Sequence, residues 1–154
     1  MSLPLGHMAM SIPTLRRDRG WWFIGTCLLL TILPDFDMAL GIPWGNLKMF
    51  HRQFSHSILF AVVVGHLLAR FTWKDCGWLF SWLIFSHDVL DMYCHDPVAP
   101  YGMQLFWPFQ TYVMASYPVF SSEYNAPLWK CFAEEVLFLL GVMGLTWLYK
   151  KGEI

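Results

Sequence analysis

Three short motifs concentrate the residues able to do chemistry: LPDFD (33–37), HRQFSHS (51–57) and SHDVLD (86–91). His87 and Asp91 stand four residues apart, so on a helix they share one face. A histidine nitrogen and a carboxylate oxygen are ordinary ligands for zinc. Asp88 points to a different face, where it could orient a ligating histidine from behind or accept a proton. His51 and His56 lie five residues apart and offer neutral imidazoles to a metal. Ser55 or Ser57 can cap the apolar run that follows. Arg52 can pair with a phosphate or with one of the aspartates. In LPDFD, Pro34 ends or kinks the run before it, and Asp35 and Asp37 follow at alternating positions.

Each motif alone has an ordinary reading: a solvated helix end, a polar helix start, or a buried His–Asp bond. Together they suggest a polynuclear metal site. Metal ions can lower the pKa of a bound water and clamp both oxygens of a phosphoryl displacement. The chain has no Gly-rich phosphate loop, no GxSxG elbow and no Cys/His nucleophile pair. A metal would therefore have to supply the nucleophile. Asp37, Asp88 or a glutamate could serve as general base, with Arg52 steadying a phosphate.

The elements that must position these groups are apolar. The 154 residues are 56% hydrophobic, 18% aromatic and only 14% charged, with a mean hydropathy of +0.44. Soluble domains carry about 25% charge, so a membrane is the expected surrounding. A net charge of −1 offers no basic field for nucleic acid. Nine Trp and six Tyr suit interfacial belts. The cysteines Cys27, Cys76, Cys94 and Cys131 show no CxxC spacing. Apolar runs at 20–33, 57–73, 76–93 and 128–149, with a weaker one at 3–15, predict an all-α fold. The expectation is one domain over residues 1–154, a compact polytopic membrane bundle of about four to five helices. Residues 34–56 and 94–127 read as loops.

Basic residues Arg16, Arg17 and Arg19, then Arg70 and Lys74, then Lys150 and Lys151 each end one apolar run. Threading the runs back and forth puts all three groups on one side, which the positive-inside rule makes cytoplasmic. Lys48, Arg52 and Lys130 fall opposite. At about 1.5 Å rise per residue, Asp35 lies roughly 24 Å from Arg19, His56 about 21 Å from Arg70, and His87 about 20 Å from Lys74. His7 lies about 14 Å from Arg16 if its run is helical. The polar motifs thus converge on one layer toward the non-cytoplasmic end, where ionisable groups are costly and face a cavity. Glu134 and Glu135 reach the same layer: one could enter the chamber, the other facing the interface near Lys130. His95 would extend the His87 stripe if the helix continues. His66 sits about 15 Å away, as a core or interfacial histidine.

With these motifs in place, the chain resembles the YdjM-like family of membrane-bound, metal-dependent hydrolases of bacteria and archaea. The matching elements, in family order, are LPLGH (3–7), LPDFD, HRQFSHS, SHDVLD and YGMQLFWPF (101–109). The resemblance implies a distant similarity to zinc-dependent phospholipase C and the single-strand nucleases, all-helical proteins with zinc clusters of His and Asp. It implies that His87 and Asp91 are ligands, with Asp35 or Asp37, His51 or His56, and His7 completing the cluster. It also implies that YGMQLFWPF lines the chamber against a lipid or headgroup. A second HxxxD or HxxxE pair, expected in the last helix, is missing; Glu134 or Glu135 would have to substitute.

The expectation is therefore a metal-dependent hydrolase of a phosphoester in a lipid or lipid-linked substrate. It would hold two or three zinc ions, with manganese or iron as alternatives, and lie in the bacterial or archaeal cytoplasmic (inner) membrane, with no nucleic-acid partner. The alternatives are a haem protein using His66 and His87, and a structural or interaction protein whose polar residues tie helices together.

Overall fold

The computed structural model describes residues 4–14, 19–46, 49–93, 102–113 and 127–152. Cys94, His95, Arg16, Arg17 and Lys48 lie outside them. The described chain is all-α. Helices α1 (Pro4–Ala9), α2 (Gly20–Leu30), α3 (Ile58–Phe71), α4 (Gly77–Met92) and α5 (Leu128–Lys151) fall on the five apolar runs.

Residues 34–44, expected as loop, instead belong to a 3-10 helix over Leu33–Trp44. Pro34 stands at its start, where its missing N–H costs nothing. Gly45, with φ 64°, closes it in the left-handed conformation that glycine adopts freely. The axis turns 60° between α2 and this segment. That bend swings the two aspartates back toward α4 instead of letting them continue outward.

The packed centre lies between α2, α3 and α4. Phe23, Cys27 and Leu30 of α2 meet Phe80, Leu83 and Ile84 of α4, all buried. On α3 the buried face is Ala61, Gly65 and Ala69, small residues at four-residue spacing. Small residues at this spacing let two helix backbones approach closely. A Cβ at Gly65 would lie 2.4 Å from the backbone nitrogen of Ser81, and one at Gly77 would lie 2.8 Å from the His66 ring. A Cβ at Gly77 would press only on the His66 side chain, whereas Gly65 requires glycine, since backbone atoms block it. This contact holds the two helices that flank the histidine motifs in fixed register.

Helix α5 differs in kind. Among the described residues, only Trp129–Lys151 is a single helix long and apolar enough to cross a membrane; the bent pair Gly20–Leu30 and Leu33–Trp44 would form a second span. Nearly all of α5 lies outside the packed core. Trp129 and Trp147 are exposed near its two ends, about 27 Å apart by helical rise. That spacing matches the hydrocarbon thickness between two aromatic belts. α5 is joined to the rest of the described chain mainly through α1.

Candidate metal centre

Helix α4 contributes the HxxxD pair. His87 is fully buried, and its Nδ1 lies 2.9 Å from the carbonyl oxygen of Thr31. Thr31 caps the C-terminus of α2, where carbonyls lack helical donors. The imidazole Nδ1–H can answer that need, which turns Nε2 toward the carboxylates. Nε2 has no hydrogen-bond partner among the described residues. It sits 3.4 Å from Asp35 Oδ1 and 3.8 Å from Asp91 Oδ2.

His56 is held in the turn before α3. Ser57 is the cap, accepting from the amide of Phe60 at 3.1 Å. That fixes His56 just outside the helix, also fully buried. Its Nδ1 lies 3.1 Å from Ser55 Oγ and 3.4 Å from Asp37 Oδ2. Its Nε2 has no hydrogen-bond partner among the described residues and lies 3.8 Å from both Asp35 Oδ1 and Asp91 Oδ2. His51 joins the same group: its Nδ1 meets Asp37 Oδ1 at 3.0 Å. Ser55 Oγ donates to the other oxygen of Asp37.

The structure brings several of these candidates together. Asp35, His51, His56 and Asp91 each bring one donor atom to within 4.8 Å of the others. His7, His87 and Asp91 form a second such group. Asp91 belongs to both. His7 comes from α1, with Nε2 3.5 Å from Asp91 Oδ1 and its ring stacked on His87 at 3.9 Å between centroids. Asp37 is in neither group; it faces His51 and Ser55 from behind, the carboxylate–imidazole pairing that orients metal-binding histidines. Asp88 is fully buried, with no hydrogen-bond partner at either oxygen among the described residues.

Arg52 is buried beside the cluster, its Nη2 3.5 Å from Asp91 Oδ2. Its φ of 64° lies in the left-handed region, a costly conformation for arginine that only surrounding contacts sustain. Part of that restraint comes from residues 102–109. The amide of Gln104 donates to the Arg52 carbonyl at 3.0 Å, and the amide of Ile58 donates to the Leu105 carbonyl at 3.1 Å. This stretch therefore clamps residues 52–58 from both ends. Met103, Gln104 and Leu105 of this stretch are buried, while its aromatic residues Phe106, Trp107 and Phe109 are exposed. Two further histidine and acid assignments separate as well. His66 is outside both groups, bonded to the Val62 carbonyl and Ser81 Oγ and set edge-on to Trp78. Glu135 is buried but meets the amide of Gly6. Sequence reasoning reached Glu135 only by its depth; the signal was an acid inside an otherwise apolar helix.

The electrostatics call for cations. Asp35, Asp37 and Asp91 gather among the histidines with one arginine beside Asp91, and Asp88 is buried nearby, so neutral imidazoles would leave a net negative charge. Such a deficit is costly away from water, and either protons or metal ions must fill it. His56 shows the first solution: burial alone would pull its pKa down, but Asp35 and Asp37 hold it up at about 10. His7 goes the other way, to about 4, through burial and the neighbouring His87, and so keeps its lone pair. Two buried imidazole nitrogens without hydrogen bonds, set among carboxylates, fit divalent metal ions. Asp35 alone in this set keeps a substantial exposed surface, 32% of its side chain, which makes it the open edge.

This arrangement coincides with a family assignment. The YdjM inner membrane protein family matches residues 1–153. The chain belongs to that family. Its family is thus one of inner-membrane proteins, in keeping with the α5 span. No curated protein and no solved structure matches the chain.

Proposed function

We propose that this YdjM-family chain is a metal-dependent hydrolase that cleaves a phosphoester in a lipid or lipid-linked molecule. The observation that carries the reading is the pair of His/Asp groups sharing Asp91. One would be held by Asp35, His51, His56 and Asp91, the other by His7, His87 and Asp91. Two divalent ions, zinc first and manganese or iron as alternatives, would supply acidification of a water and neutralisation of phosphoryl charge. The chain's own residues orient and select. Asp37 fixes the His51 imidazole, and the Thr31 carbonyl fixes that of His87. Arg52, fixed beside Asp91, offers a guanidinium to a phosphate oxygen. Asp88 is the remaining proton acceptor with no hydrogen bond of its own among the described residues.

The same reading makes the chain multi-pass with the centre toward the non-cytoplasmic side. Two features support it. Arg19 stands at the start of α2 and Asp35 beyond its end. Lys150 and Lys151 end α5, about 22 Å from Glu135.

The test is elemental analysis of detergent-purified protein beside His87→Ala and Asp91→Ala, followed by assay of headgroup release from phospholipids and phosphate release from lipid phosphates. Stoichiometric metal that is lost in both variants, with activity lost alongside, supports the reading. Metal-free protein that stays so after reconstitution makes the polar layer a structural tie between helices and overturns it.

A further inference from the structure

Helix α5 packs chiefly on α1 and the short 3-10 turn Ile12–Thr14. α1 is only six residues long, far too short to hold its own shape. Yet it carries His7, which must be held against His87 and Asp91. The question is what fixes it there.

A buried hydrogen bond joins the two helices. The backbone N–H of Gly6 donates to Glu135 Oε2 at 3.1 Å. Glu135 is 4% exposed, an acid set about 9 Å into a membrane-spanning helix by helical rise. A carboxylate at such a place is expensive and seldom kept without a role. It is not a member of either His/Asp group. Gly6 directly precedes His7, and the Glu135 side chain packs over it: a Cβ there would meet Glu135 Cδ at 3.5 Å. The acceptor therefore fixes the peptide that carries the His7 ring.

We infer that Glu135 is a positioning residue that sets His7 in the second His/Asp group, so that the membrane-spanning helix completes this half of the metal centre. The inference rests on the metal reading above. It assigns Glu135 no contact with metal or substrate; its effect passes through the Gly6 amide.

The experiment is metal titration, against a competing chelator, of the full chain in detergent. The variants are Glu135→Met, Glu135→Gln, His7→Ala and the double variant Glu135→Met/His7→Ala. Methionine matches the glutamate's length but accepts no backbone bond, and glutamine keeps an accepting oxygen without the charge. Outer-shell partners of metal ligands are worth about 10–100-fold in affinity. Glu135→Met is expected to weaken one of the two binding steps by that factor and leave the other unchanged. Glu135→Gln should stay near wild type, and the double variant should be no weaker than His7→Ala alone. Gly6→Pro removes the same bond from the donor side and should reproduce the Met effect, which keeps the test open if Glu135→Met does not fold. Wild-type affinity in both Glu135→Met and Gly6→Pro overturns the inference, as does a Gln variant as weak as the Met one, since charge alone would then be responsible. Wild-type protein that binds no metal overturns the metal reading instead.

Discussion

Gly65→Ala is the sharpest test of how the helices position the centre. The added Cβ would arrive 2.4 Å from the backbone nitrogen of Ser81, 2.5 Å from its Oγ and 2.7 Å from its Cα. Ordinary contact needs about 3.5–4 Å between heavy atoms, so α3 and α4 must part by about 1 Å. No flexible side chain can yield instead, because backbone atoms stand in the way. Overpacking of this kind costs typically 1–3 kcal/mol. At this chain length each kcal/mol moves the melting temperature about 2–4 °C, so the expected drop is roughly 2–12 °C. The same displacement reaches the centre, since α4 carries His87 and Asp91 while His56 precedes α3. Their ring centroids are 5.0 Å apart, and ligand sets tolerate only tenths of an ångström. Metal affinity should therefore fall with stability. Thermal melts by intrinsic fluorescence in detergent, with metal content measured in parallel, provide the assay. Gly141→Ala is the control, because nothing lies within 4 Å of a Cβ there; it should be neutral or slightly stabilising. A Gly65→Ala protein that melts like wild type and holds its metal refutes the seam as the element that sets the site.

Three other outcomes follow from the same geometry. Removing metal with a chelator should lower the melting temperature: an ion present at a hundred times its Kd adds about 2.7 kcal/mol, or roughly 5–11 °C, whereas an unchanged melt removes the site's claim to bind. In the metal-free protein His56 holds its proton up to about 10 against an ordinary 6.5, so its ion pairing stabilises the fold fully below 6.5 and fades as pH rises toward 10. Metal loading displaces that proton, so calorimetry at pH 7 in two buffers of different ionisation heat should show about one proton released at that subsite; no release argues against His56 as a ligand. Finally, Arg52→Gly should be more stable than Arg52→Ala by about 1 kcal/mol in chemical unfolding, because glycine accepts the φ of 64° without strain; equal stability would mean the turn relaxes.

Much of this was legible beforehand. Four of the apolar runs carried their helices to within a few residues, since membrane-type hydrophobicity is a strong local signal, while the weaker run 3–15 holds only the six-residue α1 and a 3-10 turn. The i, i+4 spacing of His87 and Asp91 placed both on one face. What stayed hidden depends on tertiary contact. Residues 34–44 looked like loop because Pro34, Gly41 and Pro43 punctuate them, yet a 3-10 segment tolerates these where an α-helix would not. The choice between Asp35 and Asp37 could not be made from alternating positions, because the 60° bend decides which one faces Asp91. The stack of His7 on His87 joins residues far apart in sequence, beyond any periodicity. The clamp by Gln104 and Leu105 uses backbone groups, which side-chain identity does not announce.

The bond between Gly6 and Glu135 closes over 129 residues, and this has a consequence for how the protein is made. A chain emerging from the ribosome has His7 almost at once, and His56, His87 and Asp91 well before the end. The span that seats α1 comes last. Contacts this distant in sequence form late, so an unfinished chain holds every histidine and aspartate of the cluster without the fixed arrangement they need. Order of synthesis thereby separates owning the ligands from presenting them. On the positioning role inferred for Glu135, the two groups come together only after α5 has been made.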